Sequence, residues 1–140
     1  MQTFLPHSDF HVSAACLDSK RLGKQRVEAK QILTILANGG GWSRHPAVLM
    51  WKGYETSLAE YGFAVCQQWK LRGYRDTLLD FFAERRREFW INPPWLGDDR
   101  LHSSHRAALL WKEPGWYSLF GWEETPRVEY FWPTKEPVYA

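Results

Sequence analysis

Glu28 is the residue whose setting most resembles a reaction centre. It lies in the run Asp18 to Lys30, which holds five cations and two carboxylates. A helical wheel at about 100° per residue gathers Leu22, Ala29, Leu33 and Leu36 on one side. Arg21, Lys24, Glu28 and Gln31 fall a quarter to a third of a turn away, and Arg26 and Lys30 lie beyond the other edge of the apolar stripe. Two readings follow. One is a solvated face on which Lys24 and Glu28 form an i,i+4 pair worth about 0.2–0.5 kcal/mol. The other is a phosphate-binding stripe carrying a single acid. An ionised carboxylate beside a sugar stabilises positive charge at the anomeric carbon and can take part in proton transfer. The glycosidic bond itself yields to water or to an amine. A chain-terminal amine, with an ordinary pKa of about 7.7–8.0 against about 10.4 for lysine, is the better nucleophile near neutral pH.

Other residues with chemical potential weigh less. His102 and His105 stand at i,i+3, as two metal ligands would, but no cysteine is near and no metal is expected. His105, Arg106 and Lys112 read better as a second backbone-contact patch. Trp116 and Tyr117 suit either stacking on bases or packing of a last helical turn. Arg85, Arg86 and Arg87 spread around their helix beside Glu84 and Glu88 and read as a solvated face. Ser103 and Ser104 lack the context of a nucleophilic serine.

The elements that must position these groups are mostly helical. The spacing predicts a helix over 13–37, stopped by Asn38-Gly39-Gly40-Gly41. A second starts near Pro46, with Ser43 as a cap, and runs to Gly73 with Trp51, Tyr54, Leu58, Tyr61, Val65 and Trp69 on one stripe. A third covers about 77–89 behind Asp76. A loop with Pro93-Pro94 follows. A fourth runs from Asp98 or Asp99 to Lys112, and Pro114 opens one further turn closed by Gly121. The N-terminal segment and the tail from Glu123 are extended, and Arg127–Trp132 could form a lone strand. The expected fold is therefore an all-α, compact, single-domain helical bundle over residues 1–140, with an extended N-terminal segment and an aromatic C-terminal tail.

Composition narrows the class. Nine Trp, eight Phe and six Tyr exceed the usual needs of a core this size, so some rings should lie on the surface. Net charge is only +2, but residues 1–54 hold seven Lys/Arg against three Asp/Glu. That asymmetry points to a polyanion site near the N-terminus. Cys16 and Cys66 read as buried free thiols. No membrane span or signal peptide is expected.

Four stretches carry a family resemblance: MQTFLP, RLGKQRVE, KLRGY and SHRAALLWKEPGWYSLFG. In this order they resemble the pyrimidine-dimer DNA glycosylases related to phage endonuclease V, and a bacterial branch most of all. The resemblance implies a helical bundle with its N-terminus in the active site, no cofactor, and an N-terminal amine that attacks C1′ and leads through an imine to strand cleavage. It assigns the amine to Met1 and the carboxylate to Glu28. It assigns the DNA grip to Arg21, Lys24, Arg26 and Lys30; the expected contacts also include Gln2, Gln25, His105, Arg106, Lys112, Trp116 and Tyr117. In a gapless match through LGKQR, Glu28 stands one residue beyond the family's glutamate. The expectation is a monomeric enzyme of the bacterial cytosol or nucleoid, acting on damaged or modified bases in double-stranded DNA, a repair glycosylase with AP lyase activity. The alternatives are a non-catalytic DNA-binding protein of the same fold and a helical module that docks a protein partner through its tail.

Overall fold

The computed structural model describes residues 1–133. Seven α-helices form among them: α1 (Phe10–Cys16), α2 (Ser19–Asn38), α3 (Pro46–Leu49), α4 (Glu55–Leu71), α5 (Leu79–Ala83), α6 (Asp99–Lys112) and α7 (Pro114–Tyr117). A 3-10 turn, Ser118–Phe120, follows α7. The described residues contain no strand, so the lone strand expected over Arg127–Trp132 does not form. Pro137, assigned to the tail, lies outside the described residues.

Two long helices expected from periodicity are each divided. The first breaks at Leu17-Asp18, where both residues take extended backbone angles. Asp18 then caps α2, its carboxylate accepting from the Arg21 N–H. The apolar pattern runs through the break because Leu17 is as buried as the helical residues around it. The second divides at Lys52-Gly53, where Gly53 has φ of +88°, a conformation costly for residues with a Cβ. Its cap is His45, not Ser43: the ring accepts the Ala47 N–H through Nδ1 at 3.0 Å. The third helix shortens to α5, with Asp76 accepting the N–H groups of Leu78 and Leu79.

The core lies where α4 packs against α1, α2 and α5. Leu22, Ile32, Leu58, Tyr61, Val65 and Trp51 are fully buried in it. Two glycines permit the close packing. A Cβ on Gly62 would stand 2.2 Å from the Phe82 ring, and one on Gly23 would stand 2.8 Å from Trp69. Cys16 and Cys66 are free and buried; burial and the neighbouring Asp76 carboxylate push the Cys66 thiol up to about 12. Trp42, Trp90, Trp111 and Trp116 are exposed, so the aromatic excess does reach the surface. No helix among the described residues is long and apolar enough to cross a membrane.

Candidate functional site

The first six residues form no helix or strand and, apart from Met1, are buried. Buried backbone needs hydrogen-bond partners, and side chains from three helices supply them. Gln25 on α2 accepts the Phe4 N–H at 2.9 Å and donates to the Gln2 carbonyl at 2.8 Å. The Tyr61 hydroxyl on α4 donates to the Phe4 carbonyl at 2.8 Å. On α6, His105 Nδ1 accepts the Leu5 N–H at 2.9 Å, while His102 Nδ1 lies 2.7 Å from the Leu5 carbonyl and donates to it. Arg106 donates to the Pro6 carbonyl at 2.8 Å. The N-terminal segment is thus held as a strand is held, but by side chains.

This anchoring fixes where the chain begins. Met1 and Gln2 line a cavity of about 440 Å³ with Phe4, Gln25 and Glu28. Cations crowd its rim: Lys20, Arg21 and Lys24 from α2 and Lys112 from the end of α6. Val128 and Tyr130, from the extended tail, form the remaining wall. Glu28 Oε2 accepts from Gln25 Nε2 at 2.9 Å and from the Gln2 N–H at 3.4 Å. Its other oxygen lies 3.8 Å from Lys24 Nζ. The Glu28 carboxylate therefore faces the start of the chain, whatever its offset from the family motif.

Several ionisations reflect this geometry. Burial pushes the Tyr61 phenol well up, and the Glu28 charge adds to it. Burial raises Tyr130 as well, opposed by Arg21 and reinforced by Glu28. His105 is pushed down to about 3 by burial, with His102 contributing, so it remains a neutral acceptor for Leu5. Burial lowers His45, and the terminal ammonium lowers it further.

The residues assigned from sequence separate into two groups. Met1, Gln2, Arg21, Lys24, Gln25, Glu28 and Lys112 meet at the cavity. The others do not. Arg26 points across α2 to Asp76, 2.7 Å away, and covers the Trp69 ring. Lys30 is exposed and sits over Phe81. His105 is fully buried rather than on a DNA-facing surface. Arg106 is drawn inward by Pro6, Glu124 and Asp99. Tyr117 is also fully buried, its hydroxyl donating to Asp18 at the start of α2, so it cannot stack on a base. Trp116 donates its indole N–H to the Cys16 carbonyl and carries Arg72 over its ring. Gln25, though at the cavity, is buried and committed to the N-terminal segment.

Lys20, Phe4, Val128 and Tyr130 are cavity residues that the sequence reading missed. Lys20 had a signal, since 20, 24 and 28 share a helical face. The tail residues had none. The paired histidines at i,i+3 hold backbone, and no group of three metal-ligating side chains occurs among the described residues.

Residues 1–81 match the family described as pyrimidine dimer DNA glycosylase. That span holds the amine, Glu28 and the α2 cations, whereas Lys112, Val128 and Tyr130 lie beyond it. Searches of curated proteins and of solved structures gave no match.

Proposed function

We propose, given that this chain belongs to the pyrimidine dimer DNA glycosylase family, that it removes damaged bases from double-stranded DNA with Met1 as nucleophile and then cleaves the strand as an AP lyase. The observation that carries this reading is the shared cavity: the first two residues and Glu28 line one space rimmed by Lys20, Arg21, Lys24 and Lys112. Cations at that rim suit the phosphates on either side of a target nucleotide.

The chemistry balances without a cofactor. The neutral Met1 amine attacks C1′, and the bond from C1′ to the base breaks. Its electron pair leaves with the base, which takes up a proton. The ring oxygen departs from C1′ as the sugar opens, giving a C1′=N imine. Loss of a C2′ proton then expels the 3′ phosphate by β-elimination. In this reading Glu28 stabilises the cationic character at C1′ and accepts or returns protons. Bonds from Gln25 and the Gln2 N–H orient its carboxylate toward the amine end of the chain.

Incubation with duplexes bearing single lesions or abasic sites, with borohydride present, tests this directly. A covalent protein–DNA adduct attached at the Met1 nitrogen is expected. A chain with an acetylated N-terminus that cuts at the normal rate would remove the amine mechanism. A second reading, DNA binding without chemistry, draws on the full engagement of Glu28 by Gln25, Gln2 and Lys24. It requires salt-dependent binding unchanged by Glu28→Gln and no product on any duplex.

A further inference from the structure

The loop over residues 39–45 joins α2 to α3 and carries an exposed tryptophan. Gly39 and Gly40 have φ of +79° and +138°, angles that side chains with a Cβ rarely adopt. Gly41 has no such angle, and a Cβ built on any of the three would meet no described atom within 4 Å. Neither backbone conformation nor packing among the described residues requires glycine at 41. Such a glycine is what a backbone needs where an outside surface must come close to it. Two turn bonds close the loop, from the Ser43 N–H to the Gly40 carbonyl at 3.2 Å and from the His45 N–H to the Trp42 carbonyl at 2.9 Å. Trp42, between them, is 55% exposed.

The loop stands beside the start of the chain. The Trp42 and His45 ring centroids are 5.6 Å apart, and those of His45 and Trp132 are 5.9 Å apart. Trp132 in turn meets Tyr130, a wall of the Met1 cavity, at 5.7 Å. The tail behind these rings is pinned to α6, the Arg127 N–H donating to the Ala107 carbonyl and the Phe131 N–H to Ser104 Oγ. A row of rings therefore runs from the cavity wall out to Trp42. Arg44, exposed on the same loop, adds a cation suited to a phosphate. Other exposed tryptophans are placed differently. Trp90 and Trp116 are tied down through their indole N–H groups, to Asn92 Oδ1 and to the Cys16 carbonyl. Trp111 stands on the last turn of α6, a rigid helix and not a loop.

We propose that Trp42 is a wedge that enters the base stack of the duplex at the lesion and holds it open while the cavity engages the sugar. The inference rests on the proposed glycosylase reading and adds the means by which the duplex is opened. Chemistry at a paired nucleotide requires local unstacking, and an apolar side chain inserted between base steps offsets the stacking lost and kinks the helix. An indole with half its surface free, beside a glycine that lets a phosphodiester chain pass closely, supplies that insertion.

The test compares single-turnover base release from a duplex with a paired cyclobutane thymine dimer and from the same duplex with the dimer in a mismatched bubble. Trp42→Ala should slow release from the paired duplex about tenfold or more and leave the bubble substrate within about twofold of wild type, because the bubble is already unstacked. Trp42→Phe should keep most of the wild-type rate on both. Trp42 lies outside the core, so the unfolding midpoint of both variants should match wild type. A 2-aminopurine placed next to a tetrahydrofuran abasic analogue should brighten when wild type binds and stay dim with Trp42→Ala. If wild type cuts abasic sites and not the dimer, a natural abasic site in duplex and in single-stranded form replaces the two dimer substrates. Unchanged rates in Trp42→Ala, or equal slowing on the paired and unpaired substrates, would overturn the wedge. In both cases a wild-type borohydride adduct at an abasic site leaves the function standing. No wild-type adduct with any duplex would overturn the function and the wedge together.

Discussion

His105 offers the sharpest test of how the N-terminal segment is held. Its Nδ1 accepts the Leu5 N–H, and it lies fully buried between Phe4 and Tyr130. Protonation at Nδ1 would set two donors against each other and bury an unpaired charge. Burial holds the folded pKa near 3, against about 6.5 in an unfolded chain. The unfolded state therefore binds the proton first on acidification. Stability from this residue is fully present above about pH 6.5 and is lost as pH falls toward 3. Between pH 7.5 and 4.5 the loss is about 2.7 kcal/mol, two units at about 1.4 kcal/mol each. Urea unfolding followed by tryptophan fluorescence at both pH values measures it. The comparison is His105→Gln, whose side-chain oxygen accepts the same N–H and does not titrate. Carboxylates, His7 and His45 titrate alike in both chains and cancel in the difference. The wild type should lose about 2–3 kcal/mol more than the variant over this interval. Equal losses in the two chains would refute a neutral, hydrogen-bonded His105 as the anchor of Leu5.

Other consequences are equally accessible. Glu28→Gln keeps an acceptor for Gln25 and Gln2, so DNA affinity should change little while single-turnover base release falls about 10²–10⁴-fold. Lys20→Ala, Lys24→Ala and Lys112→Ala should each weaken DNA binding and reduce the slope of log affinity against log salt by about 0.9, read by fluorescence anisotropy. Arg26→Ala should leave that slope unchanged and instead destabilise the fold by about 3–5 kcal/mol, since Asp76 would be left buried without its ion partner. Gly62→Ala should cost about 1–3 kcal/mol in chemical unfolding despite alanine's better helix propensity, because its Cβ would overlap the Phe82 ring.

Much of this was legible in local sequence. The apolar stripe of α2, the cations flanking Glu28, the glycine run after Asn38, and the capped start of α6 at Asp98 all obey rules that act over three or four residues. Such rules fix which residues share a helical face. They placed Arg21, Lys24 and Glu28 together and set Arg26 apart. They failed where an apolar run crossed a break, at Leu17-Asp18 and near Gly53, because burial continues where the helix does not.

Tertiary structure alone decided what that face meets. The partners of the N-terminal segment come from Gln25, Tyr61, His102, His105 and Arg106, 21 to 100 residues distant in sequence. No periodicity announces that a histidine pair at i,i+3 will hold a backbone amide and carbonyl instead of a metal or a phosphate. The side chains have the same inventory of donors and acceptors in each case, and only packing selects the partner. Tyr130 makes the point most simply. It is one aromatic residue among many in a tail without pattern, and it becomes a wall of the cavity because α6 pins that tail beside the first residue of the chain.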